Sequence, residues 1–229
     1  MTDDQQSPST RTPAGDSIRI ENALGVCNVR EDTRLLAEIA NAGAPGRALD
    51  LGAGSGYVAI YLALAGWQVD AVDVSQRALE QTRHNAEING AVVNVFYSNL
   101  FSAIEGMYDV IACNPPMRAD ETERSRMLTA SLRRFGALAN LAMRITQPVL
   151  ERQRLGFLAS LTTMARNHLA APTPTHPDGG RLLLVISPLE EVELPRLAPG
   201  LICQASRRVE SIPGLNVVTY TFRAAASDQ

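Results

Sequence analysis

The sequence predicts an α/β fold in which a seven-stranded, mostly parallel sheet ends in a C-terminal antiparallel hairpin and carries helices on both faces. Three observations predict it. Apolar runs of strand length alternate with helix-length amphipathic segments from residue 47 onward, the pattern of βαβ units joined by right-handed crossovers. A glycine-rich turn follows the first run, where a strand hands over to a helix. The last two runs, 202–209 and 216–222, are separated by six residues, too few for a crossover helix, so they pair as a hairpin.

Residues 1–16 are rich in Ser, Thr, Pro, Asp and Gln and read as a disordered tail ahead of a single domain over 17–229. A helix is expected over 31–41, with Leu35, Leu36 and Ile39 as its apolar stripe. The first strand follows at 47–51, then a helix over 55–65 and a strand over 68–74. Ser75 is placed to cap a third helix, which Asn89 and Gly90 stop. Strands over 92–97 and 108–113 precede a long helix at 119–147, lined by Leu128, Leu132, Phe135, Leu138, Leu141 and Ile145. Pro148 starts a further helix that runs to Ala170, and a strand at 181–187 precedes the final pair.

A chain of 229 residues holds one α/β domain with a large core and is too short for two of ordinary size. Hydrophobic content of 45% suits a globular protein. No apolar run is long enough to cross a bilayer, and the N-terminus lacks the basic and apolar regions of a signal peptide. The expectation is a cytoplasmic protein with no membrane partner. A net charge of −3 argues against a surface built for duplex nucleic acid, although nucleic acid is not excluded. All 21 basic residues are Arg. Between Arg118 and Arg166, nine of them face four acidic residues; this excess is either a solvated helix face or a patch for an anionic substrate. Cys27, Cys113 and Cys203 are scattered and read as buried thiols. With His84, His168 and His176 also isolated, no metal site is expected.

The strongest motif is Ala48-Leu-Asp-Leu-Gly-Ala-Gly-Ser-Gly56. Gly52, Gly54 and Gly56 let the backbone turn sharply and approach a ligand at a helix N-terminus. A dinucleotide site has the spacing G-x-G-x-x-G; here it is G-x-G-x-G behind an acid, Asp50. A carboxylate repels a phosphate but attracts the amino group of an amino acid, so the turn suits a zwitterionic nucleoside. Asp73, 23 residues further on at the end of the second strand, is placed to accept hydrogen bonds from ribose hydroxyls. These residues resemble the class I, Rossmann-like methyltransferases that use S-adenosylmethionine (SAM). That resemblance implies an adenine contact at Asn99 and Leu100, where the related enzymes usually carry Asp at the first position. Asn still accepts through its carbonyl oxygen.

The fourth strand ends in Asn114-Pro115-Pro116-Met117. An amide or aromatic amine is a poor nucleophile because its lone pair is delocalised. Two acceptors, the Asn114 side-chain oxygen and the Pro115 carbonyl, would hold its N–H groups and aim the lone pair at a methyl group. The two prolines stiffen the loop. SAM has an excellent leaving group, so no strong base is needed, and Asn114 also borders the cofactor. The motif resembles the HemK/PrmC family of protein glutamine methyltransferases over residues 29–117, and more weakly over 179–187. Glu31-Asp-Thr-Arg-Leu-Leu36, Asn85-Ala86 and Asn89-Gly90 extend the likeness, which implies that Thr33 helps close the cofactor pocket. The family carries an aromatic at the Met117 position and an irregular loop where the helix of 119–147 is read here. Residues 118–147 are therefore read as a lid or substrate-selecting segment, or as scaffold.

These readings lead to a SAM-dependent N-methyltransferase acting on an amide or amine, with a release-factor-type glutamine as the family default. The expected partner is a protein or small molecule bearing a nitrogen acceptor. The alternatives are N-methylation of a nucleobase in RNA or DNA, a small-molecule biosynthetic enzyme, and a catalytically inactive SAM-binding partner subunit.

Overall fold

The computed structural model describes residues 17–22, 26, 28–115, 152–174 and 177–222. The tail expected at 1–16 and the segment 118–147, with the helix read into it, lie outside the described residues. Among the described residues, seven strands form one sheet: β1 (Arg47–Leu51), β2 (Gln68–Asp73), β3 (Val93–Tyr97), β4 (Val110–Cys113), β5 (Arg181–Ile186), β6 (Leu201–Arg208) and β7 (Asn216–Phe222). Their order is β3-β2-β1-β4-β5-β7-β6. Pairings from β3 through β5 are parallel, whereas β7 runs antiparallel to both β5 and β6. The hairpin is present as expected, with β7 slotted between β5 and β6.

Among the described residues, five α-helices flank these strands: α1 (Glu31–Ala40), α2 (Tyr57–Leu64), α3 (Gln76–Ile88), α4 over 152–165 and α5 (Pro188–Leu197). Side chains alternate across a strand, and the two faces of the sheet bury two separate cores. Ala48, Val69, Ala71, Val110, Ala112, Leu183 and Val185 pack with Leu36, Ala37, Ile60, Leu62 and Ala86, from α1, α2 and α3. The intervening residues Leu49, Leu51, Val72, Ile111, Leu182, Leu184 and Ile186 pack on the other face with Leu158, Leu161, Ala165 and Leu194, from α4 and α5. Strands buried on both sides explain the near-continuous apolar runs in the sequence.

Local signals set most boundaries. Ser75 Oγ accepts from the Ala78 N–H at 3.4 Å at the start of α3, and Gly90, at φ 63°, ends it. Three features depart from the expectations. Helix α5 was not anticipated, although Ser187 and Glu190 form a reciprocal capping box with Pro188 in its first turn. The helix expected up to Ala170 gives way to a 3₁₀ turn at Arg166–His168, so that Leu169 can bridge to Tyr108. Cys203, expected to be buried, is exposed on β6, while Cys113 is buried. Among the described residues no helix is long and apolar enough to cross a membrane.

Candidate active site

The C-terminal ends of β1, β2, β3 and β4 lie along one edge of the sheet. The chain moves outward from β1 to β2 and β3, then returns to the other side of β1 with β4. This reversal leaves a crevice between the β1 and β4 ends, the usual ligand position in open α/β sheets. Gly52, Gly54 and Gly56 line the turn above β1 with φ of 82°, 56° and 82°. Gly52 N donates to Val72 O at 2.8 Å, so the turn is pinned to β2. At Gly56 the constraint is steric as well, since a Cβ there would stand 2.8 Å from Thr82 Cγ2. Thr82 also donates its hydroxyl to Gly54 O at 3.2 Å. Asn85, fully buried on α3, donates to Ser55 O at 2.9 Å and binds both the N–H and the carbonyl of Glu21. One amide thus ties the turn to the strap at 17–22.

Asp50 points from β1 toward α2, as the parity of Ala48 and Asp50 requires. Its Oδ2 accepts from Ala59 N at 3.1 Å, serving the first turn of α2 from outside the helix, where Gly56 has no side chain to do so. The residue is only 3% exposed. Burial pushes its carboxyl up to about 7, against the Ala59 hydrogen bond and with a smaller push from the Asp73 charge. Asp73, at the end of β2, accepts from Gly54 N at 3.1 Å through Oδ2 and from Ser75 N at 2.9 Å through Oδ1. Each carboxylate oxygen has a second acceptor direction, so Asp73 retains capacity for hydroxyl donors.

Beyond β3 the chain turns tightly at 98–102. Ser98, 2% exposed, donates to Leu100 O at 2.7 Å and accepts from Ala103 N at 3.1 Å. Asn99 N donates to Ser102 Oγ, and the Asn99 side chain is exposed. Leu100 has φ 51°, the single non-glycine residue with positive φ among the described residues. Such strain is costly, and it concentrates at ligand sites.

Asn114 follows β4 with the parity of Val110 and Ala112, which turns its side chain toward α1. Its Nδ2 donates to Asp32 Oδ2 at 3.2 Å and to Thr33 Oγ1 at 3.1 Å. Thr33, read from the sequence as a wall of the cofactor pocket, thus touches Asn114 directly. Pro115 is buried beside it, while Pro116 and Met117 lie outside the described residues. The C-terminal ends of β1 to β4 thus carry Asp50, Asp73, Asn99 with Leu100, and Asn114; hydrogen bonds join Asp73 to Gly54 of the glycine turn and Asn114 to Thr33. Sequence reasoning passed over Asp32, Thr82 and Ser98. Asp32 looked like an ordinary acid in a helical first turn, and only the direction of Asn114 reveals it.

The family model for the methyltransferase small domain matches residues 23–141, just over half of the chain. The chain belongs to the methyltransferase small domain family. It is 36% identical over 141 residues to a release factor glutamine methyltransferase of Lactococcus lactis, covering 60% of this chain and 46% of that protein. It is 37% identical over 92 residues to ribosomal RNA small subunit methyltransferase C of Alcanivorax borkumensis, covering 40% of this chain and 28% of that protein. This family member therefore spans less than half the length of these curated relatives. Among solved structures, the ribosomal protein L11 methylase of Lactobacillus delbrueckii subsp. bulgaricus superposes with a TM-score of 0.62 at 17% identity, over 90% of this chain and 86% of that one. A methyltransferase from Pyrococcus furiosus gives 0.59 at 17% identity, over 88% and 87%. At that identity the likeness is one of fold: the Rossmann-like sheet of this family with its C-terminal antiparallel pair.

Proposed function

We propose that the protein transfers the methyl group of SAM to an amide or amine nitrogen, with a protein glutamine side chain as the acceptor. The observation that carries this reading is the orientation of Asn114. Both contacts of its Nδ2 are made to α1, so Oδ1 is the atom that meets a substrate N–H. An acceptor at that point, together with the Pro115 carbonyl, selects a nitrogen donor and directs its lone pair.

The crevice fits the cofactor on its own evidence. Among the described residues, its chain neighbours apart, a Cβ at Gly52 would meet no atom within 4 Å, so the turn is open to them on that side. Two carboxylates, Asp50 and Asp73, stand where a phosphate would be repelled and an ammonium or ribose hydroxyl welcomed. Asp73 would hold the ribose, Asn99 and Leu100 would border the adenine, and Asp50 would balance the cationic amino-acid end from beneath the turn. SAM supplies an electrophilic methyl on a sulfonium leaving group. The chain's own part is to bind, align and exclude water. Segment 118–147, with Met117, is proposed to select the acceptor by its position after the motif.

The match to glutamine methyltransferases supports the glutamine reading, as 60% of the chain is covered. A nucleobase amine is the second reading, favoured by the shorter match to an rRNA methyltransferase and by the Arg excess between residues 118 and 166. The test compares two variants in methyl transfer and in calorimetric binding of S-adenosylhomocysteine. Asn114→Ala is expected to lower kcat by about 100-fold or more with product affinity retained. Asp73→Ala is expected to weaken affinity by about tenfold or more, through loss of two hydroxyl acceptors. Full activity in Asn114→Ala would remove the amide from the reaction.

A further inference from the structure

We propose that Asp32 is the positioning residue that decides which end of the Asn114 amide faces the acceptor nitrogen. The proposal rests on the reading of Asn114 as an N–H acceptor and explains how that role is enforced. A carboxamide is almost symmetric in shape, so packing alone does not choose between its oxygen and its NH₂ group. The choice matters. A flipped Asn114 would oppose its own N–H groups to those of the substrate, and the lone pair would no longer be directed at the methyl group.

Two groups on α1 contact the amide, and they are not equivalent. The Thr33 hydroxyl both donates and accepts, so it satisfies either orientation. An ionised carboxylate only accepts, so Asp32 tolerates Nδ2 and repels Oδ1. Asp32 Oδ2 lies 3.2 Å from Nδ2, and a hydrogen bond to an ionised acceptor is stronger than a neutral one. The same contact polarises the amide and raises the electron density on Oδ1, which improves it as an acceptor.

The rest of Asp32's surroundings argue against a purely structural role. The residue is 3% exposed, so it gives up hydration that a surface acid in the same first turn would keep. Glu31, its neighbour in the same first turn, accepts instead from Ser211 N at 3.2 Å. Asp32 Oδ1 is buried and has no hydrogen-bond partner among the described residues; Arg30 Nε stands 3.9 Å away. A buried, partly satisfied carboxylate costs stability. Its contact with a residue 82 positions away in sequence gives that cost a purpose.

The test has two readouts. The side-chain amide signal of Asn114, assigned by its loss in Asn114→Ala, reports the contact by nuclear magnetic resonance without any reaction. In Asp32→Ala its solvent exchange is expected to quicken by about tenfold or more as the charge-assisted bond is lost. The isosteric Asp32→Asn keeps an acceptor but admits both orientations, so its exchange and kcat fall between wild type and Asp32→Ala. It also stands in if the alanine variant folds poorly. In methyl transfer, Asp32→Ala is expected to lower kcat by about 10- to 100-fold with unchanged affinity for S-adenosylhomocysteine. Combined with Asn114→Ala it should add no further loss, because both changes act through one amide. Unchanged amide exchange, or losses that multiply in the double variant, would overturn the proposal. A wild type that methylates no nitrogen would instead overturn the functional reading, and the exchange result would stand apart from it.

Discussion

A carboxyl that titrates near neutrality couples ligand binding to protons where it faces a cationic group, the role proposed for Asp50. Burial raises it to about 7, and a nearby ammonium or sulfonium would favour its ionised form. SAM binding should therefore release a proton and strengthen by about tenfold between pH 6 and 8, levelling off above the free-state value. Calorimetry in buffers of different ionisation heat reads the proton release, and Asp50→Asn should flatten the profile. The same shift acts on folding in the opposite sense. A raised value contributes stability that is complete below the unfolded carboxyl range and is lost as pH rises through about 7. Relative to wild type, Asp50→Asn should thus gain stability progressively from about pH 4 and level off above about pH 7. Ser98 is the second residue where one side chain carries a local geometry. Its hydroxyl holds Leu100 O and Ala103 N while Leu100 sits at φ 51°. Ser98→Ala should cost about 1–3 kcal/mol, lower the thermal midpoint, and weaken SAM binding as Leu100 relaxes.

The β1–α2 junction is where local sequence and packing converge. Gly56 has a left-handed φ and lies against Thr82 of α3, so Gly56→Ala incurs backbone strain together with a clash. A loss of about 2 kcal/mol or more is expected, read as a drop of several degrees in thermal midpoint. Thr82→Ser removes Cγ2 but keeps the hydroxyl on Gly54 O, and should recover part of that loss in the double variant. Elements marked by local chemistry were legible in the sequence. The Ser75 cap, the Gly90 stop and the glycine turn all have their effect within a few residues. Helix α5 had readable marks as well, in Ser187, Pro188 and Glu190, but Glu190 and Leu194 are the residues it buries. With Pro195 inside it, the apolar periodicity that reveals longer helices is absent.

For the whole molecule, the alternation of strands and helices was legible because each βαβ unit is a local pattern. The insertion of β7 between β5 and β6 was not, because strand order depends on which distant edges pair. The site divides the same way. Asp50, the glycines and Asp73 lie within one βαβ unit and announce themselves by spacing. The Asp32–Asn114 contact spans 82 positions and emerges only when α1 is folded against the end of β4. Family membership, the switch-point crevice and the Asn114 orientation together support one account: nitrogen methylation from SAM. Its most direct test is the location of the transferred group after reaction with SAM bearing a deuterated methyl, read by tandem mass spectrometry of the modified acceptor. The account predicts the label on a side-chain nitrogen of a protein glutamine, abolished in Asn114→Ala. Label on carbon, oxygen or sulfur, or SAM bound without any transfer to protein or RNA, would contradict it.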